Sequence, residues 1–181
     1  MTDSAPLPSL TLVLGGARSG KSRYAEAVIE RAAETALYIA TGTAGDSAMA
    51  ARIAHHRARR GPRWTTIEEP IAVAALLATE ARPDRPILVD CLTLWLSNVL
   101  LAGRDVEADC EELLEALKNL AGPAVLVANE VGLGIVPDND LAIQFRDHAG
   151  RLNQRIAALA GRVVFMAAGL PLVLKDLAVR E

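Results

Sequence analysis

Eight consecutive residues, Gly15-Gly16-Ala17-Arg18-Ser19-Gly20-Lys21-Ser22, have the types and spacing needed to hold a polyphosphate. Glycines let the backbone curl so that successive N–H groups point at one anion, and a helix starting at Lys21 adds the positive end of its dipole. Lys21 is expected to reach the β- and γ-phosphates, and the Ser22 hydroxyl to ligate a Mg²⁺ that bridges them. Asp90 closes the apolar run Ile87-Leu88-Val89, where a second acid would orient the shell of that ion. An unpaired carboxylate after three apolar residues is costly as mere packing. The alternative is an N-cap for a helix starting near residue 92.

A second constellation lies between Asp46 and Pro70. His55 and His56 are adjacent, with Arg52 three residues before His55 and Arg59 four after it. On a helix, Arg52, His55 and Arg59 share one face. Such a face can hold a polyphosphate and present a neutral imidazole to it as nucleophile or base. A basic face turned to water is the alternative. Glu68 and Glu69, just after Trp64, either accept hydrogen bonds from a guanine or cap a helix after Pro70. The Asn-Lys-x-Asp guanine motif of switch GTPases is absent, Asn129-Glu130-Val131-Gly132 being the nearest string, and no Gln is obviously placed to position a hydrolytic water. A transferase fits these residues better than a switch.

Positioning them requires short buried strands alternating with helices. Leu10–Leu14, Ala36–Ala40, Ile87–Asp90, Ala124–Ala128 and Val163–Ala167 read as strands, with a short extended piece at Trp64–Ile67. Helices are expected over 21–34 (with Tyr24, Val28 and Ala32 as its stripe), 46–60, 70–81, 92–102, 107–121 and about Leu141 to Ala160. Residues 82–86 and 129–139 read as loops, Gly122-Pro123 as a break, and 169–181 carries no clear signal. The alternation predicts an α/β fold with a mostly parallel sheet covered by helices on both faces and right-handed crossovers. Residues 1–9 read as a loose tail and 10–181 as one nucleotide-binding catalytic domain.

The 181 residues are 51 % hydrophobic but only 3 % aromatic, so Ala, Leu and Val must fill the core. A net charge of −3 argues against nucleic acid and anionic membranes as partners. Asp90, Thr93, Ser97 and Asn98 interrupt one apolar run and Gly169 and Pro171 another, so no membrane span is expected. Residues 1–9 lack the pattern of a signal peptide, and Cys91 and Cys110 form no metal-type pair, which reads as a cytoplasmic protein with free thiols.

Several strings in order carry a family likeness. They are Gly15–Ser22, Tyr38-Ile-Ala-Thr41, Met49…Arg52-Ile53…His55-His56, Trp64…Glu68-Glu69-Pro70 and Asp90-Cys91-Leu92-Thr93. Asn129-Glu130-Val-Gly-Leu-Gly-Ile-Val-Pro137, Phe145-Arg-Asp147 and Ala149–Arg155 follow. Together, from about Leu12 to Lys175, they resemble the bifunctional adenosylcobinamide kinase / adenosylcobinamide-phosphate guanylyltransferases of cobalamin synthesis. The resemblance implies a three-layer P-loop NTPase fold with a RecA-like core and a homotrimer. It implies phosphorylation of the aminopropanol hydroxyl of adenosylcobinamide from GTP or ATP. GMP transfer from GTP to adenosylcobinamide phosphate then follows through a guanylyl-histidine, at His55. It also implies a nucleotide pocket of residues 15–22, Ala40-Thr41-Gly42, His56-Arg57-Ala58-Arg59, Glu68 and Asp90. Leu14, Ala48 and Ala128 depart from the family's usual residues without removing a chemical group.

Overall fold

The structure is a computed structural model, and residues 7–42 and 61–177 are described. Its elements are β1 (Leu10–Gly15), α1 (Lys21–Ala32), β2 (Ala36–Ala40), β3 (Trp64–Glu68), α2 (Val73–Glu80) and β4 (Ile87–Asp90), then α3 (Leu92–Leu101), α4 (Val106–Lys118), β5 (Ala124–Asn129), α5 (Asp140–Leu159), β6 (Arg162–Ala167) and β7 (Leu170–Asp176). The strands form one sheet in the order β3-β2-β4-β5-β1-β6-β7. Every neighbouring pair is parallel except β6 and β7.

Side-chain alternation along the strands divides the core. Leu12, Leu14, Leu37, Ile39, Ile87, Val89, Leu126 and Ala128 pack with α2, α3, α4 and α5. Val13, Tyr38, Leu88, Val125, Val127, Val164 and Met166 pack on the other face with Ala25 and Ile29 of α1. From β1 the chain steps through α1 toward the β3 edge. From β3, β4 and β5 it steps back the other way through α2, through α3 and α4, and through α5. Right-handed crossovers running in opposite directions must put their helices on opposite faces, as found.

The α/β class is as expected, with corrections in detail. The tail after residue 169 forms β7, antiparallel to β6. A two-residue turn, Ala168 (φ 52°) and Gly169 (φ 80°), makes the reversal with both residues left-handed. The piece at Trp64 is a full parallel edge strand. On α1 the buried face is Lys21, Ala25, Glu26 and Ile29; Tyr24 and Val28 only flank it, and Ala32 is exposed. Helix α2 begins at Val73 rather than 70, because Glu69 Oε1 accepts from the N–H groups of Ile71 and Ala72 (2.8 and 2.7 Å) and holds a turn there. Helix α4 ends at Lys118, and Asp105 caps its start by accepting from Glu107 and Ala108 N–H. Residues 46–60, expected to be helical, lie outside the described residues. Among the described residues no helix is long and apolar enough to cross a membrane.

Candidate active site

The carboxyl ends of β1, β5, β4, β2 and β3 form one edge, and the chemistry-bearing residues gather on it. The loop 15–20 joins β1 to α1. At Gly15 (φ 148°) a side chain would collide with the Met166 carbonyl oxygen and come within 2.8 Å of Ser19 Oγ. Only a residue without Cβ lets the loop lie this close to β6. Arg18 stands at the exposed turn with φ 57°, and Gly20 (φ 98°) is the N-cap of α1. Gly169 N–H donates to Ser19 O (3.0 Å), so the β6–β7 turn braces the loop from outside. Lys21 is 6 % exposed, and its Nζ donates to Gly16 O at 2.6 Å. The ammonium is thus folded across the loop it is expected to serve. The buried Ser19 Oγ has no hydrogen-bond partner.

Asp90 ends β4 in the alternation phase of Leu88, so it points to the α1 face, the face of Lys21 and Tyr38. It does not cap α3. The cap position is Cys91, without a side-chain hydrogen bond. Instead Asp90 Oδ2 accepts from the Tyr38 hydroxyl at 2.7 Å. Tyr38 is itself fixed edge-on against Trp64, with ring centroids 5.9 Å apart, and Trp64 Nε1 donates to Glu30 Oε1 (3.0 Å). Half-buried Asp90 and the first-turn hydroxyl of Ser22 are hard oxygen donors suited to a magnesium ion that takes its other ligands from phosphate and water.

Thr41 is fully buried. Its hydroxyl accepts from Cys91 N–H (2.8 Å) and donates to Cys91 O (2.7 Å). It therefore clamps the peptide after Asp90, a cis peptide. The Thr41 carbonyl in turn accepts from Asn98 Nδ2 (2.8 Å), which also reaches Pro70 O (3.1 Å). Burial, and then the Asp90 charge, push the Cys91 thiol up to about 11. At the end of β5, Thr93 Oγ1 accepts from Asn129 N–H (2.6 Å), and Glu130 N–H donates to Gly15 O (3.0 Å).

The expected pocket residues thus divide. Residues 15–22 belong to β1 and α1, and Asp90 stands two strand positions away, across β5. Ala40 is paired in register with both Asp90 and Glu68, and Thr41 and Gly42 follow it. Glu69 is committed to its turn, whereas Glu68 is exposed at the end of β3. Four strand positions separate Glu68 from Gly15, roughly 19 Å at ordinary sheet spacing. Met49, Arg52, His55, His56, Arg57, Ala58 and Arg59 lie outside the described residues. Tyr38, Thr93 and Asn98 escaped the sequence reading as builders of the site. The usable signal is the polar Thr93 and Asn98 amid the apolar residues of α3.

Comparison with known proteins agrees with this chemistry. Residues 11–174 match the family described as cobinamide kinase / cobinamide phosphate guanyltransferase. The chain is 52 % identical over 166 residues to the bifunctional adenosylcobalamin biosynthesis protein CobP of Pseudomonas aeruginosa, covering 91 % of this chain and 96 % of that protein. It is 41 % identical to the bifunctional adenosylcobalamin biosynthesis protein CobU of Salmonella typhimurium, covering 92 % and 99 %. Among solved structures, the type III secretion ATPase EscN of enteropathogenic E. coli superimposes with TM-score 0.61 at 12 % identity, over 89 % of this chain and 43 % of that one. The RadB recombinase gives TM-score 0.54 at 14 % identity, over 89 % and 76 %. These two establish a RecA-like α/β fold.

Proposed function

The chain belongs to the cobinamide kinase / cobinamide phosphate guanyltransferase family, and from that premise we propose how its carboxyl edge carries out the two transfers. The protein phosphorylates cobinamide and transfers a guanylyl group to the phosphate, so its substrates include nucleoside triphosphates. In our reading one catalytic domain, residues 10–181, does both. The observation that carries the reading is the phosphate loop with Lys21 on the same sheet face as Asp90, with one strand, β5, between them.

In the kinase step the loop N–H groups, Lys21 and Ser19 Oγ grip the β- and γ-phosphates of GTP or ATP. A magnesium ion held by Ser22 and Asp90 would neutralise charge as it builds on the phosphates. The aminopropanol hydroxyl of adenosylcobinamide attacks the γ-phosphorus, loses its proton, and the nucleoside diphosphate leaves. In the guanylyl step an imidazole nitrogen of His55 attacks the α-phosphorus of GTP, an N–P bond forms and pyrophosphate leaves. The phosphate of adenosylcobinamide phosphate then attacks the same phosphorus and frees the histidine. Adenosyl-GDP-cobinamide is the product. A GTP lying along the carboxyl edge, triphosphate toward β1 and base toward Glu68, brings the α-phosphate over β5 and β4. Ala40, Thr41 and Gly42 form the floor there, Thr41 by holding Asp90 in place. His56, Arg57, Ala58 and Arg59 complete the nucleotide pocket.

We place the enzyme in the cytoplasm as a homotrimer. The count of three rests on the family resemblance. Self-association is supported by edge strand β7, which presents Leu170, Leu172 and Leu174 exposed.

The test is incubation with Mg²⁺ and GTP labelled at the α-phosphate, followed by denaturation. Acid-labile, base-stable label on the wild type and on His56→Ala, but not on His55→Ala, is expected. An unlabelled wild type that binds GTP would remove the covalent route and leave the kinase.

A further inference from the structure

The loop between β5 and α5 bears an apolar surface that neither the nucleotide nor the core uses. Leu133 is 81 % exposed, Ile135 98 % and Val136 63 %, the most exposed run of large apolar side chains in the described residues. The loop is anchored at both ends. Glu130 N–H donates to Gly15 O, Gly132 N–H donates to Glu130 Oε1 (2.5 Å), and Val131 packs on the core. At the far end Asn139 caps α5 by accepting from Ala142 N–H (2.8 Å). The three apolar side chains are therefore held out at the carboxyl edge, next to the phosphate loop. Such exposure costs free energy in water and is relieved only by a partner.

We infer that the loop 131–137 is the docking surface for the corrin macrocycle of the acceptor. The inference rests on the kinase and guanylyltransferase reading above. Position is its first support. The hydroxyl being phosphorylated must come into van der Waals contact with the γ-phosphorus, so the macrocycle that carries it is confined to within one side arm's reach of the phosphate loop. Loop 131–137 forms the rim of that loop, tied to Gly15 by the Glu130 hydrogen bond.

Charge is the second support. Cobalt(III) with a singly anionic corrin and an alkyl ligand, and with every side arm amidated, carries a net positive charge. From Asn119 to Phe145 the chain has no Lys, Arg or His, while Glu130, Asp138 and Asp140 supply carboxylates around the apolar run. That surface suits a methyl-rich monocation and repels a triphosphate. Arg18 and Lys21, on the β1 side of the same edge, have the opposite preference. Donor and acceptor are thereby sorted to two sides of one crevice. The rival occupant is a second copy of the chain, but the exposed leucines of β7 offer that contact on a separate, unpaired edge.

The experiment uses the full chain carrying Leu133→Asn with Ile135→Asn, both at exposed positions. Adenosylcobinamide binding is followed by equilibrium dialysis and visible absorbance, its KM by turnover, GTP binding by dialysis, and assembly by sedimentation. We expect corrinoid affinity to fall about tenfold or more, with GTP binding and assembly unchanged. Asp138→Lys should raise the corrinoid KM at low salt, with the effect shrinking as salt is added. Unchanged corrinoid affinity in the double variant would overturn the docking surface while leaving the enzymatic reading intact. Altered assembly would overturn it in favour of an inter-copy contact. A wild type that neither binds nor turns over adenosylcobinamide would remove the enzymatic reading itself.

Discussion

Replacing Thr41 with Val keeps the shape of the side chain and removes the hydroxyl that clamps Cys91. The two hydrogen bonds are not equivalent. The Cys91 carbonyl also accepts from Trp95 N–H at 3.1 Å in the first turn of α3, so it loses one of two partners, worth about 1 kcal/mol. The Cys91 N–H donates to Thr41 Oγ1 and would be stranded in a buried setting, at about 1–3 kcal/mol. The added methyl returns up to ~0.8 kcal/mol. The net loss is about 1–3 kcal/mol, or roughly 2–12 °C in Tm for a chain of this size. Thr41→Ser keeps both hydrogen bonds and gives up one methyl, for about 1 kcal/mol. Urea unfolding of the three proteins, at constant slope, gives the order wild type, Ser, Val. Thr41 stands directly before Gly42 at the proposed nucleotide floor, so GTP binding should fall in the Val variant and persist in the Ser variant. A Val variant as stable as the Ser variant would refute the clamp.

Gly122 precedes β5, and a Cβ there would run into the backbone of Arg82; Gly122→Ala should cost about 1–3 kcal/mol in denaturant unfolding, while Gly61→Ala, with open space around it, should be close to neutral. Burial, with help from neighbouring acids, pushes Cys91 and Cys110 up to about 11 from an ordinary 9.0. The folded state then holds these thiol protons more tightly than the unfolded one, so the contribution is complete below pH 9 and is lost as pH rises from 9 to 11. Unfolding midpoints followed across that range should fall more steeply in the wild type than in a Cys91→Ala, Cys110→Ala double variant, and equal slopes would refute the burial argument.

What could be read in the sequence was local. The strand, loop and helix from Leu10 to Ala32 are contiguous, and each residue type there has a backbone or phosphate reason. Asp90 was legible because a carboxylate after Ile87-Leu88-Val89 needs a purpose, but its partner Tyr38 lies 52 residues away and is found only once β2 and β4 are paired. Thr41 enters the expected pocket only through the family resemblance; its hydroxyl is spent on Cys91, which no spacing rule discloses. The stripe on α1 lies one residue later than its apolar periodicity suggests: burial follows the row Lys21, Ala25 and Ile29, with Glu26 beside it, so Tyr24 and Val28 fall at its border. Strand β7 was invisible for a different reason. Its turn is Ala168-Gly169 rather than Asn-Gly or Asp-Gly, it carries Pro171, and its apolar residues stay exposed instead of alternating with polar ones.

The strand order explains why these pieces make one site. β1 and β5 are neighbours, but the chain leaves β1 toward one edge of the sheet and leaves β5 toward the other. Their outgoing helices, α1 and α5, must diverge to opposite faces, which opens a crevice at the carboxyl end of this pair, where ligands of open α/β sheets bind. One wall is the phosphate loop and the other is the loop 130–139, joined at the base by Glu130 N–H to Gly15 O. Placing β5 between β1 and β4 also separates Gly15 from Asp90 by two strand spacings, roughly 10 Å. In the mechanism proposed above, that gap is where the phosphates and a cation held by Ser22 and Asp90 would lie. Had β4 paired directly with β1, the carboxylate would crowd the loop and the apolar segment would lie to one side of the phosphates. With β5 inserted, it lies beside them, where an acceptor has to approach.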